Sequence, residues 1–244
     1  GLHTVEALLV YPGIAIHVPD ATFGAFNESQ REESNAIEAI FRKHTSNEDF
    51  PSEWRLVKAE ATTAAARIIE SAHAADLVIM PQEDPSTLRG DQNHAQERVI
   101  RECGRPVVIV PTNYKGPELG RNVVLGWSDT REAARAAHDA LLVAQKGGTI
   151  NILRVNGRAP DELADFDAIN LASMFDRHGV QAQTVHRERG GQEIAEVLLK
   201  YAFEQGADLI VTGAFGHSRI YDFVIGAVTH SLMKDAKLPV LYSA

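Results

Sequence analysis

Gly213-Ala-Phe-Gly216 is followed, after nine residues, by Gly226, and the apolar run Ala207-Asp-Leu-Ile-Val-Thr212 leads straight into it. A buried strand that opens through glycines toward a helix aims main-chain N–H groups at an anion such as a phosphate. Glycine has no Cβ, so the chain can take φ > 0 and a ligand can come close to the backbone. The chemistry on offer is anion binding by main-chain donors. The competing reading is that the glycines serve only tight packing of strand against helix.

Patterns for bond-making chemistry are missing. There is no Gly-x-x-x-x-Gly-Lys-Ser/Thr, no Gly-x-Gly-x-x-Gly after a strand, no His-Glu-x-x-His and no Gly-x-Ser-x-Gly. The ten histidines are scattered, with no pair at metal-ligand spacing, so no metal is expected. Carboxylate pairs such as Glu32-Glu33 and Asp161-Glu162 read as helix-surface or helix-start residues. Phe23-Gly-Ala-Phe26 reads as a loop carrying two aromatics.

A net charge of −9 argues against nucleic acid as the main partner, because phosphate neutralisation needs clustered Lys and Arg. No apolar run approaches the ~20 residues of a membrane span, and the first residues do not read as a secretory signal. The single cysteine, Cys103, excludes an internal disulfide and reads as a small core residue; a cytoplasmic location is expected.

The elements that must carry the glycine loop are written twice. Ala75-Asp-Leu-Val-Ile-Met80 resembles Ala207-Asp-Leu-Ile-Val-Thr212 at an offset of 132 residues, and Pro106-Val-Val-Ile-Val110 resembles Pro239-Val-Leu-Tyr-Ser243 at 133. Short apolar runs without alternation suit parallel strands buried on both faces. Amphipathic stripes precede them: Ala61, Ala65, Ile68, Ile69 and Ala72 in the first half, Ile194, Val197, Leu198, Tyr201 and Ala202 in the second. Strands are expected at 122–127, 149–155 and 182–186, with a helix over 129–143 whose Ala134, Ala137 and Leu141 face inward, and another over about 161–178. Asp129 can cap the first of these helices, with Glu132 completing a box-like pair. Alternating strands and helices imply α/β architecture with parallel sheets. The turn-rich segment 112–121 is the expected seam, giving domains at 1–114 and 115–244. The run Thr4–Tyr11 matches the second strand of the later half, so about 25–30 residues of strand and helix lack a counterpart ahead of it. A shortened start is expected.

On these residues the chain resembles a tandem, two-domain universal stress protein of the UspA superfamily. The family motif is Gly-x-x-Gly, nine residues, then Gly with Ser or Thr; here it reads Gly213-Ala-Phe-Gly216, then Gly226-Ala227-Val228. His217-Ser218-Arg219 and the closing Leu238-Pro-Val-Leu-Tyr242 are similar as well. The resemblance implies two tandem open parallel-sheet α/β domains of Rossmann-like, adenine nucleotide alpha hydrolase-like type. The first is degenerate and lacks its first strand and helix. It implies five parallel strands per domain and ATP or another adenine nucleotide at their carboxyl ends. It also implies pairing of the two domains through their last strands, Val107–Val110 with Val240–Ser243, and admits a homodimer.

Carried over residue by residue, the resemblance gives a nucleotide site of Trp127, Ser128, Asp129, Val155, Thr212, Gly213, Gly216, His217, Ser218, Arg219, Gly226, Ala227 and Val228. Two departures weaken it. Ser128 stands where binding members have Asp, and Ala227 where they have Ser or Thr. Asp129 either reaches the ligand or caps the helix. Arg219 and His217 either face phosphate or solvent, and Val155 either touches the base or belongs to the core. Losing one charged hydrogen bond costs about 1.5–3 kcal/mol, so weakened binding is expected. After Met80 the run 81–90 of the first half has only one glycine, Gly90, and carries Glu83 and Asp84 where donors are needed; no nucleotide is expected there.

Three functions stay open. One is a non-enzymatic stress-response protein with weak adenine-nucleotide binding in its second domain. The second is an interaction protein with a structural glycine loop. The third is a slow nucleotide hydrolase, for which Asp129 is the nearby base.

Overall fold

A computed structural model describes residues 1–6, 19–59, 63–83, 95–156, 162–215 and 222–244. They form two compact units: residues 1–71 with 89–95, and residues 72–88 with 96–244.

In the smaller unit, β1 (Leu2–Glu6) and β2 (Arg55–Ala59) pair in parallel, Thr4 opposite Val57. Between them runs α1 (Asp20–Thr45), which contains Phe23 and Phe26. The expected aromatic loop is therefore helix: one glycine, Gly24, does not break a helix of this length when most of its other positions favour one. Phe41 packs on Trp54 with ring centroids 5.4 Å apart. In α2 (Ala64–Ala72), the stripe residues Ala65, Ile69 and Ala72 are buried as expected; Ala61 lies outside the described residues.

The larger unit is built on a seven-stranded sheet. Its strands are β3 (Val78–Pro81), β4 (Val107–Val110), β5 (Asn122–Gly126), β6 (Thr149–Asn156), β7 (Gln181–Glu188), β8 (Leu209–Gly213) and β9 (Val240–Ser243). The spatial order is β3-β4-β9-β8-β5-β6-β7. The five strands from β5 to β9 are mutually parallel, with β5 central between β8 and β6. On the far side of β9, β4 runs antiparallel, placing Val107 opposite Tyr242 and Ile109 opposite Val240. The architecture is α/β with parallel-dominated sheets of Rossmann type.

Helices cover the sheet because its central strands are apolar on both faces. Val123, Val124 and Leu125 of β5 are all 0% exposed. Val123 and Leu125 join a core with Ala136, Ala137 and Ala140, from α4 (Arg131–Asp139) and the turn after it, and with Phe175 of α5 (Glu162–Arg177). By the alternation of a strand, Val124 faces the other side. There α6 (Ile194–Glu204) packs on β5 and β6, and α7 (Asp222–Asp235) packs on α6. The stripe Val197, Leu198, Tyr201 and Ala202 is buried as its spacing predicts.

Two expectations change. The buried face of α4, which begins at Arg131, is Ala133, Ala136 and Ala137, while Ala134 is exposed, because the side of the helix packed on the sheet carries the first set. In addition, β3 lies at the edge of the sheet formed by the described strands rather than buried on both faces, with Ile79 65% exposed.

Asp208, just before β8, fixes the start of the central strand. Its carboxylate accepts main-chain hydrogen bonds from Gly120 (2.7 Å), Arg121 (2.9 Å) and Asn122 (3.0 Å). The matching Asp76 is exposed, and among the described residues it holds no such strand start.

Candidate functional site

In the sheet order, connections leave β5 toward β6 on one side, while β8 and β9 lie on the other. The carboxyl ends of β5 and β8 therefore flank a topological switch point, where open α/β sheets leave a crevice. A hollow of about 150 Å³ occurs there. Trp127 and Ser128 enter it from the end of β5, Leu153 and Val155 from β6, and Thr212 and Gly213 from β8. Ile194 and Leu198 of α6 and Val228 of α7 close it, with Gly126 and Thr130 at its edge.

Its walls are mainly aliphatic and aromatic, with hydroxyls on one side. Ser128 Oγ and Thr130 Oγ1 lie 3.3 Å apart, and Thr212 Oγ1 donates to its neighbour's carbonyl, Gly213 O, at 3.0 Å. Trp127 Nε1 is buried and has no hydrogen-bond partner among the described residues. A buried donor left unpaired is costly, and this one belongs to a wall of the hollow.

Close packing explains one glycine and not another. A Cβ on Gly213 would stand 2.6 Å from Ala133 N and 2.7 Å from Glu132 C, so β8 needs glycine there to pass the first turn of α4. Gly226, inside α7, has nothing described within 4 Å of a Cβ built on it. Packing among the described residues therefore does not account for its lack of a side chain.

Of the thirteen expected site residues, the structure gathers Trp127, Ser128, Val155, Thr212, Gly213 and Val228 around the hollow. Gly226 and Ala227 lie on α7 away from its lining, Ala227 exposed. Gly216, His217, Ser218 and Arg219 lie outside the described residues.

Asp129 is neither cap nor lining. Arg154 of β6 grips its carboxylate at 2.8 and 3.3 Å. The cap is Thr130, whose Oγ1 accepts from Ala133 N at 3.2 Å. Glu132 is buried and completes no box; it accepts from Arg131 in a close ion pair. Burial alone would raise its pKa. The Arg131 hydrogen bond, its own amide and the charges of Arg131 and Arg135 outweigh that and hold it below the ordinary value.

Ile194 and Leu198 read in the sequence only as a core stripe. The signal that they also line a site is their place in the first turns of α6, level with the carboxyl ends of the sheet. Among the described residues no cluster of His, Cys, Asp or Glu could hold a metal, and no helix is long and apolar enough to cross a membrane. Cys103 is buried, as expected, with burial raising its thiol pKa.

Comparison with known proteins agrees with this geometry. Universal stress protein Slr1230 of Synechocystis is 23% identical over 168 residues, covering 68% of this chain and 57% of its own length. Universal stress protein YxiE of Bacillus subtilis is 36% identical over 63 residues, covering 26% of this chain and 40% of its own length. The chain thus spans about half the length of these curated relatives. A universal stress protein from Archaeoglobus fulgidus has the same fold, with a TM-score of 0.69 at 15% identity over 100% of this chain and 86% of that one. The model of the universal stress protein family matches residues 120–242, half of the sequence and all but the last residue of the five-stranded parallel part, and the chain therefore belongs to that family.

Proposed function

We propose that this is a non-catalytic stress-response protein whose hollow at the switch point takes the base of an adenine nucleotide, ATP or a relative, with weak affinity. The observation that supports this most is the convergence of Trp127, Val155, Leu198 and Val228 on one small apolar space beside Gly213. Its 150 Å³ equals about five waters. That suits one ring system and falls short of the ~300–1,000 Å³ of pockets that enclose drug-sized ligands. Most of the nucleotide would lie outside it, which fits weak binding. Ala227 supplies no hydroxyl for a terminal phosphate, and losing such a bond lowers affinity by about one to two decades.

In this reading the chain is a duplication with domains at 1–114 and 115–244, acting in the cytoplasm, and only the second domain binds. Ligand would shift the population toward the conformation that partners recognise, including a second copy of the chain.

Calorimetric titration of the intact chain with ATP, ADP and AMP tests the proposal. Saturable binding at high micromolar to millimolar concentration is expected. A folded chain that shows none at millimolar nucleotide rejects it. Gly213 favours a second reading, an interaction protein with a structural glycine loop, because its close approach to α4 already explains that glycine. Under that reading a substitution at Gly226 alters stability alone.

A further inference from the structure

Phe215 is the one residue other than glycine, among those described, with a positive φ, at 53°. It immediately precedes Gly216. A bulky side chain in the left-handed region persists only where its surroundings hold it there. What holds Phe215 comes partly from the first half of the sequence. In α3 (Ala95–Glu102), Val99 and Ile100 are buried and anchor the helix. One turn of that helix sets Glu97 against Arg101, with Arg101 Nε donating to Glu97 Oε1 at 3.0 Å. The guanidinium so fixed lies 3.5 Å over the centroid of the Phe215 ring. On α7, His230 meets the same ring edge-on at 6.0 Å, and its Nε2 stands 3.8 Å from Glu97 Oε2. The ring is nearly buried, at 8% exposure. Next to it, Ala214 N donates to Ser243 O at 2.7 Å.

The same half also holds the far end of α7, the helix that carries Gly226. Gln82, after β3, donates its side-chain amide to Met233 O (2.7 Å) and Lys234 O (3.0 Å), two carbonyls of the last turn.

We infer that Arg101 is a positioning residue: by stacking on Phe215 it fixes the left-handed turn that opens the glycine loop, so the half without a glycine loop sets the anion affinity of the half that has one. The affinity part rests on the proposed nucleotide site; the turn part does not. Arg101 touches no ligand and acts only through the ring, and through the ring on the backbone at 214–215.

The test is a double-mutant cycle in the intact chain with two readouts. The first is amide hydrogen exchange without ligand. Arg101→Ala is expected to speed exchange at Ala214 about tenfold, as fits loss of a desolvated cation–π contact, and to leave Val124 in β5 unchanged. Phe215→Gly adopts φ > 0 without support, so adding Arg101→Ala to Phe215→Gly should change nothing more. The second readout is ATP titration, where Arg101→Ala should raise Kd about tenfold in the wild-type background and not in Phe215→Gly. Unchanged exchange at Ala214 in Arg101→Ala overturns the inference. So does a full Arg101→Ala effect that survives in Phe215→Gly. If the wild type binds no ATP, the nucleotide reading and the affinity part fail together, and exchange still decides the role of Arg101 in the turn.

Discussion

Arg154 closes on Asp129 as a two-pronged clamp, one nitrogen at 2.8 Å and the other at 3.3 Å, across the first two strands of the parallel unit. A carboxylate held this way is a poor base for activating water. Asp129→Ala should leave any release of phosphate from ATP unchanged. The pair is exposed on the Asp129 side, at 53%, so its loss should cost only ~0.2–1 kcal/mol in urea unfolding. Sustained release that vanishes in this variant would restore the hydrolase reading.

Gly213 and Gly226 should respond to alanine with opposite signs. At Gly213 the new methyl meets main-chain atoms of Glu132 and Ala133, so overpacking should lower stability by about 1–3 kcal/mol. At Gly226 it meets nothing described, and alanine inside a helix should raise stability by about 0.5–1 kcal/mol. Urea midpoints measure both. If a nucleotide comes close to α7, the stabilised Gly226→Ala chain should also lose affinity for ATP.

Glu132 gives a pH test. Its pKa in the fold is below the ordinary carboxylate value, since Arg131, its own amide and Arg135 outweigh the burial that opposes them. A lowered folded pKa means the stabilisation is complete above the unfolded value. It disappears as pH falls from there through the folded value. Glu132→Gln should therefore be less stable than wild type near neutrality and show a flatter acid limb below about pH 4.5, the two curves converging in acid. Unfolding free energy followed from pH 7 to pH 2 measures it.

Tyr242 is fully buried on β9, its hydroxyl has no partner among the described residues, and burial pushes its pKa far up. Removing an unsatisfied buried hydroxyl while keeping the ring should stabilise. Tyr242→Phe is expected to gain about 1 kcal/mol in chemical unfolding. A loss of that size would mean the hydroxyl has a partner.

The sequence made the central strands plain. The runs that became β5, β8 and β9 are apolar without alternation, and burial on both faces leaves little other choice. What misled was contact across long sequence separation. Asp129 and Thr130 are both good caps, and the choice fell to Thr130 because Arg154, from the next strand, takes the carboxylate. That choice set the start of α4 at Arg131. Ile79 belongs to an apolar run like the others, yet β3 lies at a rim of the described sheet and Ile79 is exposed, and rim or centre is decided by topology. In the hollow, Trp127, Ser128, Thr212 and Gly213 were legible from the glycine pattern and the resemblance. Ile194, Leu198 and Leu153 were not, because the same side chains serve core and cavity wall.

With Val107–Ile109 already bonded to Val240–Tyr242, the last parallel strand offers no bare ladder to a newcomer. A second copy cannot lengthen the sheet at that seam without first tearing out β4. Among the described strands of this seven-stranded sheet, β3 and β7 are the rims. Each carries a deterrent to end-on polymerisation. Pro81 brings no N–H to β3, and exposed Arg187 and Glu188 put charge along β7. Growth of this sheet into fibres is thereby blocked at one seam and discouraged at both rims.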